Sequence, residues 1–209
     1  RIPNSSIYDD KIRGEFRRLP NVSLVMPKDD GDTQPLLFIG KTKMGLGELS
    51  EEMRQIKSKQ SYGFQDYMPT FLRIDKEVSM RFVHEVKREL MLADMWVLNY
   101  VVIPEDAKYD EKYYTGWNRT YLSQFNPEYF DGEHAQYLIW AQTVSNRLEI
   151  VISKKGFEID GNLIPKKELA VLLKNRLTQD LDYAIVLNFK ENINFGTYFG
   201  VISKVNEAI

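Results

Sequence analysis

The chain contains no cysteine, which excludes disulfides, thiolate nucleophiles and cysteine-based metal sites, and suits an oxidising compartment. Histidine is nearly as scarce. The only two, His84 and His134, come with no partners whose spacing marks a metal centre or a Ser-His-Asp arrangement. Charge of one sign is missing too: 28 basic and 30 acidic residues leave a formal charge of -2 with no one-signed block. That balance gives no footprint for nucleic acid or for an anionic membrane surface. No apolar run approaches the roughly 18 to 20 residues that a bilayer-spanning helix needs. A phosphate loop, a Gly-x-Ser-x-Gly elbow and a dinucleotide fingerprint are all absent, since Gly45-Leu46-Gly47 lacks the third glycine. Asp29, Asp30 and Asp32 around Gly31 resemble a piece of a calcium loop, yet the later ligands and the closing glutamate are missing. Carboxylates such as Glu133 and Asp160 follow no pattern that marks a glycosidase pair. The chain is therefore read as having no catalytic residue, no metal and no cofactor, and as not being an enzyme.

What is present is a folding sequence. A hydrophobic content of 43% with 12% aromatic residues over 209 positions can bury a sizeable core in one large domain or two small ones. The first residue is Arg1 rather than Met, which reads as a processed form or an excised fragment. Residues 1–34 are polar, with Pro3, Pro20 and Pro27 interrupting any period, so they read as an extended leader in which only Val22 to Met26 resembles a strand. Residues 35–103 then alternate between strands and helices. Leu36 to Ile39 is a strand, and Leu49, Met53 and Ile56 line one face of a short helix with acidic residues in its first turn. Thr70 to Ile74 is a buried strand, and Phe82, Val83, Val86 and Leu90 make a second helical stripe. Trp96 to Ile103 is too β-branched and aromatic for a helix and closes the unit as a strand.

Residues 104–146 differ in character, carrying Tyr113, Trp117, Tyr121 and Trp140 among acidic and amide residues, with good helix formers from Gly132 to Val144. The rings read mainly as packing for a long connection, and alternatively as a glycan-stacking surface. Asn118-Arg119-Thr120 matches a glycosylation sequon, a short motif that arises often by chance. Residues 147–209 form the cleanest unit. Leu148, Ile150 and Ile152 alternate with polar residues, Lys154-Lys155-Gly156 makes a turn, and Phe157 and Ile159 alternate again before the Asp160-Gly161-Asn162 turn. Pro165 opens a helix with Leu169, Leu172, Leu173 and Leu177 on one face. Tyr183 to Leu187 is a buried strand, and Tyr198, Val201, Ile202 and Val205 stripe the last helix.

The two units superpose. Leu49 matches Leu169, Leu72 matches Leu187, Val78 matches Ile193, Met80 matches Phe195, Val86 matches Val201 and Leu90 matches Val205. The expected fold is α+β: two tandem two-layer units of β-β-α-β-α-β order, each a mixed sheet with two helices, joined by the aromatic connection. The closing strand of the first copy has no counterpart in the second.

The run Leu72-Arg73-Ile74-Asp75-Lys76-Glu77-Val78, followed by Phe82-Val83-His84-Glu85-Val86 and then Trp96 to Val102, resembles the periplasmic domain of the ExbD/TolR family. The hairpin with Gly161-Asn162, the Glu168-Leu169 helix and Phe195-Gly196-Thr197-Tyr198 look like that family's second signature, in the long form of Bacteroidota-type members. Together the copies cover about two thirds of the chain, and Leu19-Pro20 looks like the segment that follows the family's membrane anchor. Ile74 replaces a usual small residue, and Lys190 stands where the first copy has Asp75. The resemblance implies a periplasmic location, a single inner-membrane helix N-terminal to Arg1 that carries the proton-bearing aspartate, an ExbB-like membrane subunit, and a TonB-like energy transducer as partners. It also implies a homodimer or an ExbD-type heterodimer. On this resemblance, Leu19, Pro20, Val22, Leu24, Asp75, Phe195, Gly196 and Tyr198 are the candidate partner-binding residues. The first copy is expected to carry the shared role and the second to serve as a packing platform.

Overall fold

A computed structural model describes residues 4–5, 19–27, 34–65, 68–104, 116–121, 147–153, 155–177, 184–189 and 192–208. The fold is α+β, with two mixed sheets in two units. One unit comprises Arg1–Gln124 with Asn194–Gly196, and the other Phe125–Ile193 with Thr197–Ile209.

In the first unit, strand β1 is Asn4–Ser5, β2 is Asn21–Val25, β3 is Leu36–Ile39 and β4 is Thr42–Met44. A short 3-10 turn at Leu46–Glu48 leads into α1, Leu49–Ser58, and α2 follows at Tyr62–Gln65. Then come β5 at Pro69–Ile74, α3 at Met80–Leu92, β6 at Val97–Pro104 and β7 at Gly116–Tyr121. The sheet runs β6-β5-β2-β3-β4, with β1 and β7 also paired to β6. Strand β2, expected in an extended leader that pairs with a sheet edge, lies inside this sheet instead. It pairs antiparallel with β3, Val22 opposite Ile39, and parallel with β5, Val22 opposite Leu72. Its own alternation explains the placement, because Val22 and Leu24 are fully buried while Ser23 between them is not. Strand β7, from the aromatic segment, pairs antiparallel with β6 and so extends the same sheet.

Helix α3 begins where Ser79, in extended geometry, accepts a hydrogen bond from the Phe82 N–H at 3.3 Å. It buries Met80, Val83, Val86 and Leu90, a spacing of one helical face. It stops at Asp94, whose φ of 55° is left-handed, while the Met95 N–H returns to the Leu90 carbonyl at 2.9 Å. The side chains of Arg54 and Lys57 on α1 donate to the carbonyls of Leu92 and Asp94, at 2.9 and 3.0 Å. Cations at the carbonyl end of α3 suit its dipole.

In the second unit, β8 is Arg147–Ser153, β9 is Gly156–Ile159, β10 is Asn162–Ile164, α4 is Lys166–Leu177 and β11 is Ala184–Phe189, and α5, Phe195–Ala208, belongs to it from Thr197 on. The sheet runs β10-β9-β8-β11. Asn162–Ile164, read from sequence as a turn and a helix approach, is instead a third strand antiparallel to β9. The two residues between β9 and β10, Asp160 and Gly161, have φ of 51° and 77°. Positive φ at both centres is what a type I′ hairpin requires, and Asp-Gly supplies it at low steric cost.

The registers reveal the repeat. Ile150 pairs antiparallel with Ile159 and parallel with Leu187, as Val22 pairs with Ile39 and Leu72. The repeated unit is thus β-β-β-α-β-α, beginning at β2 in the first copy and at β8 in the second.

Candidate partner-binding site

The proposed partner residues divide into two places. Seven of them are spread along β5 from its start to the turn beyond its end. Leu19 and Pro20 are buried, and the Pro20 carbonyl accepts from the Phe71 N–H at 2.9 Å. Val22 and Leu24 sit in a strand with both edges filled by β3 and β5. The N–H of Asp75 donates to the Leu24 carbonyl at 2.9 Å, and its Oδ1 accepts from the Glu77 N–H at 3.1 Å. An Asp after a strand thereby closes a local turn, the ordinary use of an Asx side chain. The N–H groups of Phe195 and Gly196 donate to the carbonyls of Val78 and Lys76, at 2.7 and 2.9 Å. Phe195 is 1% exposed, and its ring lies 5.3 Å from that of Tyr100. Gly196 has no room for a side chain: a Cβ there would lie 2.9 Å from the Lys76 Cβ and 3.2 Å from its carbonyl oxygen. The structure places Leu19 and Pro20 at one end of β5 and Asp75, Phe195 and Gly196 at the other, and engages these backbone groups within the unit.

Tyr198 sits elsewhere. Its ring lies 5.9 Å from that of Phe189, at the end of β11, and Phe189 is 37% exposed. Among the described residues β11 has one neighbour, β8, so its other side is a sheet edge. The equivalent strand of the first copy, β5, lies between β2 and β6. The difference is visible in the side chains. Ile74, at the place of Phe189, is 0% exposed, and Thr70, Phe71 and Leu72 are buried where Ile185, Val186 and Leu187 are only half-buried. Asn188, between these apolar residues, donates from its side chain to the Glu149 carboxylate on β8.

Sequence reasoning picked Tyr198 from a motif and left out Phe189, which lies beyond the strand read as Tyr183 to Leu187. The signal that points to it is its place opposite Ile74 in the repeat. Of the alternative glycan-binding residues, Trp117 and Tyr121 lie in β7 opposite Val101 and Val97, while Tyr113 and Trp140 fall outside the described residues, as does Lys190. Among the described residues no group of three or more His, Asp or Glu could hold a metal ion, and no helix is long and apolar enough to cross a membrane. Burial lowers the pKa of His84 below its usual 6.5, with a smaller push from Lys87, and burial raises that of the Tyr100 phenol. Comparison of the chain with family models, curated proteins and solved structures gives no match.

Proposed function

We propose that this chain is the periplasmic part of an ExbD-like stator subunit, which couples the inner-membrane proton gradient to a TonB-type transducer serving outer-membrane transport. The observation that supports it most is the doubled β-β-β-α-β-α unit, with equivalent registers in both sheets. The segments that resemble the ExbD/TolR family fall in both copies, Leu72–Val78 and Phe82–Val86 in the first and Gly161-Asn162, Glu168-Leu169 and Phe195–Tyr198 in the second. An α+β fold by itself carries no function, so the reading rests on that coincidence of motif and repeat.

In this reading an anchor helix N-terminal to Arg1 lies against an ExbB-like subunit and bears the proton-carrying aspartate. The present residues receive the motion and pass it on. A hydrogen-bonded sheet suits that task, because its ladders resist displacement as a set. The subunit works as a homodimer or as an ExbD-type heterodimer, at the periplasmic face of the inner membrane.

The test is genetic and functional. In cells that make this protein, deleting its gene is expected to abolish gradient-dependent uptake of ligands too large for outer-membrane pores, and restoring the gene to recover it. Uptake unchanged by the deletion rejects the stator reading.

A further inference from the structure

We propose that the hollow where the β8–β9 turn meets the start of α4 is a binding site for a small anionic amphiphile, a carboxylate carried on a compact aliphatic or aromatic body. The hollow lies within the second unit. The inference goes beyond the stator reading and stands without it, because it comes from the lining of this hollow and from what the first copy carries at the same places.

The hollow measures about 300 Å³, and Lys155, Phe157, Leu163, Ile164, Pro165 and Lys166 line it. That volume is at the small end of ligand pockets and suits roughly a dozen non-hydrogen atoms. Phe157 and Ile164 stand opposite each other in the β9–β10 pair and form its apolar part. Leu163, beside Ile164 on β10, is 59% exposed. Among the described residues the two lysines are the only charges in the lining, and Glu158 and Glu168, their nearest acids in sequence, lie outside it. Neither lysine side chain has an acidic partner among the described residues. Apolar surface beside two unanswered cations is complementary to a ligand of opposite charge with an apolar body.

The first copy shows that this lining is not what the fold requires. Strands β9 and β10 and Leu169 follow one another at the spacing of β3, β4 and Leu49. Lys155 therefore stands at the place of Pro35, Leu163 at that of Lys43, Pro165 at that of Gly45 and Lys166 at that of Leu46. Charge and apolar character have changed places. In the first copy the same corner is closed from within, because the Gly45 N–H donates to the Glu48 carboxylate at 2.7 Å. Pro165 has no N–H to give Glu168. Lys166 meets a second change. Its Nζ would lie 3.2 Å from a Cβ on Gly200, and Gly200 stands where the first copy has Glu85. A carboxylate in the first copy is thus replaced by a bare glycine beside the ammonium, which leaves that charge for a ligand to meet.

The experiment titrates the whole chain with phenylacetate and follows its amide resonances, with neutral phenylacetamide and with acetate as controls. Phenylacetate is expected to shift the amides of Lys155–Phe157 and of Leu163, Ile164 and Lys166 saturably, with half-saturation in the millimolar range. Phenylacetamide should bind at least about fivefold more weakly, and acetate should give no saturable shift. Lys155→Gln and Lys166→Gln should each weaken phenylacetate binding by about threefold, and together by about tenfold. Leu163→Ala should weaken it by about fivefold through lost apolar contact. All three residues are exposed, so the fold is expected to persist in the variants. Equal binding of phenylacetate and phenylacetamide overturns the proposal, as does binding that the double lysine variant retains in full. No saturable shift up to the solubility of the probe, or the same shifts with acetate, overturns it as well.

Discussion

The two sheets share a plan and differ in one strand. In both, a central strand pairs antiparallel with a hairpin on one side and parallel with a post-helical strand on the other, with the same residues opposite one another. In the first sheet the post-helical strand β5 gains a further neighbour, β6, and becomes interior; in the second, β11 is an edge among the described residues. Burial follows the neighbours rather than the amino acids. Ile185, Val186 and Leu187 are as apolar as Phe71 and Leu72, yet only the latter are fully covered. A strand's contribution to stability therefore depends on the next strand along, and so does its availability to others.

The largest effect that sharpens this comparison is on the core. Phe71→Ala, at a site with 0% exposure, is expected to destabilise the first unit by about 4 kcal/mol. Val186→Ala, at the same place in the half-covered second sheet, should cost about 1 kcal/mol. Urea unfolding followed by amide exchange resolves each unit. Equal losses at both positions would break the comparison, because β11 would then be as well covered as β5.

Next in size is Gly196→Ala. Its counterpart in the first copy is Arg81, whose side chain is 81% exposed, whereas a Cβ on Gly196 meets the Lys76 Cβ and carbonyl. The substitution should cost about 2 kcal/mol through forced backbone shifts, while Arg81→Ala should stay within about 0.5 kcal/mol. A tolerated alanine at 196 would mean that the Lys76–Gly196 approach is loose in solution. Smaller again is Gly161→Ala. At φ of 77° a side chain is strained, so a loss of about 1 kcal/mol is expected in thermal unfolding of the second unit.

How much of this was readable beforehand follows from the strength of each local signal. The Asp160-Gly161 turn, the Val83-Val86-Leu90 stripe and the aliphatic runs of β5, β6 and β11 are strong short-range patterns, and the elements lie where they point. Strand β2 was legible as a strand but not as the centre of a sheet. Its flanking prolines and polar neighbours look like a leader, and only pairing with the distant β5 makes it interior. Strand β10 was hidden because three residues after Asp-Gly carry too little period to outweigh the turn. Strand β7 was hidden because Gly116–Tyr121 sets three polar residues in a row between Trp117 and Tyr121, with no alternation, inside a segment whose rings suggested a long connection. For the candidate site, burial of Phe195 depends on contacts with Tyr100, which no local pattern encodes.

The smallest expected effect separates the copies by pH. His84 on α3 occupies the place of Phe199 on α5, which is 0% exposed. Removal of water from the ring, aided by Lys87, holds the His84 pKa below 6.5. The folded state therefore prefers the neutral ring, while the unfolded chain takes up its proton near 6.5. Between those two pKa values the unfolded state binds more protons, so stability rises with pH. The first unit should keep this contribution above pH 6.5, lose it progressively as pH falls from there toward the folded pKa, and change no further below it. Because His84 lies on the outward side of its helix, solvent screens the effect and keeps it small. His84→Gln should remove the dependence from the first unit and leave the unfolding of the second untouched, measured by urea midpoints between pH 7.5 and about 5. An unchanged slope in the variant would place the pH dependence on the carboxylates and leave the two copies alike in this respect.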